Sequence, residues 1–158
     1  GAALAKKMDQ DPGIVYALCG DGELQEGQIW EAAMFAPHYQ LDNLILTVDW
    51  NGQQIDGANE DVMSLGDLEA KWKAFGWHVE SCHGNNMTEL VQTLQQAREN
   101  TGRKTPQILL MKTEMGAGVD FMEGTHKWHG IAPNDDQLED ALHQLPETLG
   151  DYSINEKK

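Results

Sequence analysis

Two polar groups at the ends of apolar runs constrain this chain more than any other feature. Ile14-Val15-Tyr16-Ala17-Leu18-Cys19 leads into Gly20-Asp21-Gly22, and Leu44-Ile45-Leu46-Thr47-Val48 leads to Asn51, 30 residues after Asp21. Short continuous apolar runs read as strands buried on both faces. Laid parallel, the two runs bring a carboxylate and a carboxamide to one edge of a sheet. Open α/β sheets bind ligands beyond that edge. Mg2+ takes hard oxygen ligands and sits between carboxylates and phosphates, so such a pair can hold a cation that holds a diphosphate.

The rest of the chain alternates in the same manner. Gly1 to Met8 reads as the end of a helix, stopped by Asp9-Gln10-Asp11-Pro12-Gly13. Strands are expected over 14–19, 43–49, 77–81 and 107–112. A helix is expected over 23–39, with Leu24, Ile29, Trp30, Ala33, Met34 and Ala36 as its apolar set. A short helix over 67–75 puts Leu68, Trp72 and Phe75 on one face. Another over 87–100 turns Leu90, Val91, Leu94 and Ala97 inward, and Asn134 caps an acidic helix over 135–145. Residues 50–66 and 114–133 read as long glycine-bearing loops, and loops of that length are usually functional. Strands alternating with helices predict an α/β fold: a parallel sheet with helices on both faces. One domain over 1–148 and a polar tail over 149–158 are expected. The opening helix end has nothing upstream to pack on, so the domain is expected to be incomplete at its amino terminus.

Composition narrows the partners. The 158 residues carry 26 acids against 11 bases, a formal net charge of −15, and are 40% hydrophobic. That charge argues against nucleic acid or an anionic membrane surface, both of which attract basic patches. No apolar run approaches the roughly 18 residues of a membrane span. Cys19 and Cys82 show no motif spacing and read as reduced, buried thiols of a cytoplasmic protein.

Asp21 follows a buried strand and precedes a helix, where an unpaired carboxylate is a poor core residue. Gly20 and Gly22 let the backbone turn sharply and approach a ligand, and the NH groups that open the next helix suit a phosphate. The plain alternative is a helix-capping aspartate in a tight turn. Asn51 before Gly52 is by itself an ordinary turn. The pair at this spacing is more specific, with the carbonyl of Gln53 available as a third oxygen where the loop turns back. Asp21 with Asp49 is also compatible with a phosphate-accepting aspartate cluster. His126 and His129 lack the further ligands zinc requires. His38, His78, His83 and His143 read as structural or solvent-facing, and Trp30, Trp50, Trp72 and Trp77 as core or interface.

The longer pattern resembles a known family. Gly-Asp-Gly followed after about 30 residues by Asn is the thiamine-diphosphate signature. Gly20-Asp21-Gly22-Glu23-Leu24-Gln25-Glu26-Gly27, Trp30-Glu31-Ala32-Ala33, Leu41-Asp42-Asn43-Leu44 and Val48-Asp49-Trp50-Asn51-Gly52-Gln53-Gln54-Ile55-Asp56-Gly57 resemble transketolase. Ala74-Phe75-Gly76-Trp77-His78-Val79, Lys112-Thr113 and Gly124-Thr125-His126-Lys127-Trp128-His129-Gly130 continue the likeness. It is nearest to the amino-terminal subunit of split transketolases.

The resemblance implies a thiamine-diphosphate-binding fold and transfer of a two-carbon ketol unit from a ketose phosphate to an aldose phosphate. It implies Mg2+, with Ca2+ or Mn2+ as alternatives, on Asp21, Asn51 and the Gln53 carbonyl. Gly20, Gly22 and Glu23 would border the diphosphate, Ile55 would pack near the cofactor rings, and Glu26 would couple active sites near the subunit interface. His129 would stand near the diphosphate and a substrate hydroxyl. The family's domain opens with a segment ahead of Gly1, and a separate pyrimidine-binding, carboxyl-terminal subunit supplies the activating glutamate. Paired heterodimers are therefore expected, with sugar phosphates as substrates. The alternatives are another thiamine-diphosphate enzyme, such as a deoxyxylulose phosphate synthase or a 2-oxo acid dehydrogenase component, or a truncated non-catalytic fragment.

Overall fold

Four strands run parallel in the order β1 (Val15–Gly20), β2 (Leu44–Trp50), β6 (Gln107–Lys112), β5 (His78–His83). Residues 1–145 are described by the computed structural model, so the expected tail over 149–158 lies outside the described residues. Register pairs Gly20 with Asp49 and Trp50 with Lys112, which aligns the carboxyl ends of three strands. The central strand β6 has a continuous apolar run because both its faces are covered. Ile108 and Leu110 point into one core and Leu109 into the other, and all three are buried.

The larger core lies under α2 (Gly27–His38) and α4 (Leu68–Phe75) and includes Leu46, Val48, Ala33, Leu68 and Trp72. Trp77 seals it, its indole NH donating to the Ala33 carbonyl at 2.8 Å. The first helix, α1 (Ala2–Met8), adds Ala3 to the same cluster. The second core is small: α5 (Met87–Glu99) lays Leu94 and Ala97 over Ile45 and Leu109. Among the described residues this face is open beyond α5. Tyr16, which pairs in register with Ile45, is 52% exposed and Leu18 is 68% exposed.

The structure corrects four sequence expectations. The helix expected over 23–39 is two pieces: a 3-10 turn over Gly22–Gln25, then α2, with Glu26 extended between them. Gly20, Gly22 and Gly27 weaken a continuous helix there. The loop over 50–66 contains a hairpin, β3 (Gln53–Gln54) against β4 (Gly57–Ala58), and a short helix α3 (Asn59–Met63). On α5 the inward residue is Thr93, not Val91; the threonine hydroxyl satisfies itself on the Glu89 carbonyl at 2.9 Å. On α2, Met34 faces outward while Ala33 and Ala36 are buried. The last helix, α6 (Asp135–Gln144), starts at a full capping box between Asn134 and Gln137. Among the described residues no helix is long and apolar enough to cross a membrane.

Candidate functional site

Parallel register puts the turns after β1 and β2 side by side, and the β3–β4 hairpin folds over them. A cleft of 390 Å³ opens there. Every residue that the sequence singled out for cofactor, metal or catalysis lines it: Gly20, Asp21, Gly22, Glu23, Glu26, Asn51, Gln53, Ile55 and His129. These residues come from three separate segments, brought together by the parallel strands β1 and β2, the β3–β4 hairpin and the loop that carries His129.

Asp21 is the floor and is 1% exposed. Its Oδ1 accepts from the Gly22 NH at 2.8 Å, and its Oδ2 from the Gly52 NH at 2.6 Å. Its own NH donates to the Asp49 carbonyl at 3.0 Å, continuing the β1–β2 ladder by one bond. Burial raises the Asp21 pKa above the ordinary carboxylate value; the Gly52 NH, the Asn59 carboxamide and the Gly22 NH pull against it, and the Asp49 charge adds to it. This carboxylate is held in place and poorly neutralised.

Asn51 is oriented from both ends of its amide. Its Oδ1 accepts from the Gln53 NH at 2.8 Å, an Asx turn, and its Nδ2 approaches Asp49 Oδ2 at 3.4 Å. Asp49 is itself pinned by the Thr113 hydroxyl at the end of β6. Asn51 Oδ1 retains a second lone pair for a cation.

The remaining residues form the rim. Glu23 folds back, its Oε2 accepting from the Gly20 NH at 2.6 Å. Glu26 is exposed at the start of α2 and takes the Gln28 amide. Ile55, at the hairpin tip, is 72% exposed and presents an apolar edge to the cleft. His129 closes a 3-10 turn over His126–Trp128 and is exposed. The same histidine, with Asp49 and Asn51, borders a second cleft that continues past Leu18, Met111, Thr113 and Trp128. Trp128 anchors this loop through its indole NH, which donates to the Phe121 carbonyl at 2.9 Å.

Among the described residues the lining contains five carboxylates (Asp21, Glu23, Glu26, Asp49 and Asp56) and no lysine or arginine. An anionic ligand such as a diphosphate would be repelled unless a divalent cation came with it. Asp21, Asn51 and the Gln53 backbone offer the oxygen donors that Mg2+ or Ca2+ prefer. Among the described residues no group of three or more His, Cys, Asp or Glu side chains is placed to hold a metal. The residues present therefore fit a diphosphate–cation pair.

Sequence reasoning passed over Gln54, Asp56 and Asn59. Gln54 and Asp56 lie on the cleft wall, and Asn59 is buried behind it against Asp21 and Gly22. Two-residue strands carry no periodicity, so the hairpin that positions them left no pattern to read. Asp49, read only as half of an aspartate cluster, instead orients Asn51.

Comparison with known proteins matches this geometry to a family. A family profile described as "Transketolase, thiamine diphosphate binding domain" matches residues 5–151. A 6-deoxy-6-sulfo-D-fructose transketolase subunit of Clostridium sp. is 43% identical over 145 residues, covering 92% of this chain and 52% of the relative. One subunit of the apulose-4-phosphate transketolase of Phocaeicola vulgatus is 42% identical over 149 residues, with 94% and 52% covered. The chain thus spans about half the length of these relatives. The crystal structure of transketolase from Campylobacter jejuni superimposes with a TM-score of 0.80 at 32% identity, over 90% of this chain and 22% of that one. By sequence and by fold, the chain belongs to the thiamine diphosphate binding domain family of transketolases.

Proposed function

We propose that this chain anchors the diphosphate of thiamine diphosphate through Mg2+, as the amino-terminal subunit of a transketolase that moves a two-carbon ketol group from a ketose phosphate to an aldose phosphate. The observation that carries the reading is the buried Asp21 at the floor of an acid-lined cleft shared with Asn51 and Gln53. When bound, thiamine diphosphate supplies the carbanion chemistry for breaking and making the carbon–carbon bond.

The chain's own work is binding and orientation. Asp21, Asn51 and the Gln53 carbonyl hold the cation, which cancels the repulsion between the phosphates and the cleft's carboxylates. Ile55 offers an apolar contact at the rim. On this reading His129, which borders both clefts, holds or moves a proton at a sugar hydroxyl. Glu26 stands at the cleft mouth, where a neighbouring subunit can meet it.

The partner on this reading is a pyrimidine-binding, carboxyl-terminal subunit, in paired heterodimers, within the cytoplasm. The relatives named for 6-deoxy-6-sulfo-D-fructose and for apulose-4-phosphate support a ketose with an anionic end group as donor. The test is a calorimetric titration of thiamine diphosphate with Mg2+ into the chain, with Asp21→Ala as control. Saturable binding that requires Mg2+ and is abolished by the substitution is expected. A donor screen with a carboxyl-terminal transketolase subunit, comparing ketose phosphates with pyruvate, then separates ketol transfer from 2-oxo acid chemistry.

A further inference from the structure

Asn59 is only 4% exposed, yet neither its Oδ1 nor its Nδ2 completes a hydrogen bond among the described residues. Burying an unpaired amide is costly, and an apolar residue would avoid that cost. The position of the side chain accounts for its retention. Asn59 begins α3, and its NH donates to the Gly52 carbonyl at 2.9 Å. Gly52 in turn donates its NH to Asp21 Oδ2. The carboxamide lies against the Gly20–Gly22 turn: a Cβ placed on Gly22 would be 3.8 Å from Asn59 Oδ1. The Asn59 side chain is also among the groups that oppose the burial of the Asp21 charge.

We propose that Asn59 is a positioning residue for Asp21: its carboxamide, unpaired behind the carboxylate, closes on it when a divalent cation draws the carboxylate into the cleft. This rests on the cation-anchoring role of Asp21 proposed above. The arrangement explains why a polar side chain is kept dry and unpaired at this place. The two NH groups that hold Asp21 here come from Gly22 and Gly52, both part of the turns that face the ligand. A carboxylate that turns toward a cation weakens one of those bonds, and Asn59 Nδ2 is the nearby donor left to compensate.

The test is Asn59→Leu, which keeps the branching and the number of side-chain heavy atoms and removes the donor, measured for melting temperature and for Mg2+ affinity by calorimetry at saturating thiamine diphosphate. A melting temperature equal to or above wild type, with Mg2+ affinity at least tenfold weaker, is the expected pattern. Asn59→Ala and Asn59→Ser form a second pair: serine, which keeps a hydroxyl donor, should recover affinity that alanine loses, at similar stability. A purely structural residue would move stability and leave affinity alone. Wild-type affinity in Asn59→Leu, or equal affinities in the alanine and serine variants, overturns the proposal while leaving the anchoring role intact. Failure of the wild-type chain to bind Mg2+ with thiamine diphosphate overturns the anchoring role, and this proposal with it.

Discussion

Asp21 and Gly52 are joined across 31 positions of sequence by a hydrogen bond of 2.6 Å, the Gly52 NH donating to Asp21 Oδ2. That bond ties the turn after β1 to the turn after β2 through a side chain rather than through the sheet ladder. It also fixes where the carboxylate can be offered to a ligand. The residue that joins the two turns is thus the residue proposed to hold the cation, where burial disfavours its charge and a cation demands it.

Asp21→Asn separates those demands. Burial holds the folded-state pKa of Asp21 above its ordinary value of 3.8, with the Gly52 and Gly22 hydrogen bonds and the nearby Asn59 carboxamide only partly opposing it. A carboxyl with a raised folded pKa binds its proton more tightly in the folded state than in the unfolded one. The cation-free chain therefore loses stability as pH rises from 3.8 through the folded value. Asn at position 21 removes that slope. At neutral pH without cation, Asp21→Asn relieves the buried charge but can accept from only one of the Gly22 and Gly52 NH groups, so its melting temperature should stay close to wild type. Added Mg2+ and thiamine diphosphate should raise the melting temperature of wild type only. Thermal scans between about pH 4 and 8, with and without both ligands, check both halves.

Gly22→Ala tests the roof of the cleft. A Cβ there would stand 3.1 Å from Gln54 Cβ and 3.2 Å from Gln54 Oε1, so the β3–β4 hairpin must yield. Crowding of this kind costs about 1–3 kcal/mol. The strands beneath are untouched, so the far-ultraviolet spectrum should match wild type while affinity for Mg2+ with thiamine diphosphate drops by about tenfold or more. An unchanged affinity would mean that the hairpin is free to lift and does not define the site.

Asp42 clamps the opposite end of the sheet. It accepts from Lys7 of α1 at 2.9 Å and from the Lys104 NH at 2.8 Å, and its carbonyl takes the Gly102 NH at 3.2 Å. Burial raises its pKa, but the Lys7 ammonium and the Lys104 NH outweigh that and leave it below 3.8. A depressed pKa gives stability that is present above 3.8 and lost as pH falls through the lower folded value. Asp42→Asn should cost about 1 kcal/mol at neutral pH, because Lys7 is part exposed and water screens the pair. It should also flatten the fall in stability below pH 3.8. Denaturant melts at about pH 7 and about pH 3 measure both, and cofactor binding should not change.

The residues themselves explain what was legible in the sequence. Asp21 and Asn51 each terminate an apolar run long enough to be a strand, and parallel register does the rest, so their meeting could be read from spacing. The core was legible for the same reason on β6, where Ile108, Leu109 and Leu110 serve both faces. Gln54 and Asn59 were not legible, because strands of two residues and a helix of five carry no period. Hydrophobicity alone points Val91 inward; Thr93 takes that place by bonding its hydroxyl to its own helix. The break between the 3-10 turn and α2 falls at Glu26, where Leu24 and Ile29 are five residues apart, and the helical spacing of Ile29, Trp30, Ala33 and Ala36 beyond it masks that gap. The part read least well is the part that folds over the site, where local geometry outweighs periodic burial.

Gly116→Ala tests whether the loop that carries His129 is a rigid support. Gly116 has φ of +72°, and a Cβ would stand 2.4 Å from the Met122 carbonyl oxygen, so alanine meets both a strained backbone and a backbone clash. The neighbouring bonds, Val119 NH to Gly116 O at 3.1 Å and Gly124 NH to Met115 O at 3.0 Å, bind this turn to the segment leading to Trp128 and His129. The substitution should cost about 2–3 kcal/mol, most of it local to residues 114–130. Asp21, Asn51 and Gln53 belong to other segments, so affinity for Mg2+ with thiamine diphosphate should stay within about threefold. Turnover with the partner subunit should fall at least tenfold as His129 loses its place, and amide exchange in this loop should rise. Retained turnover in a chain whose loop exchanges faster would show that His129 needs no fixed position. Lost affinity together with lost turnover would show instead that the loop helps build the diphosphate site.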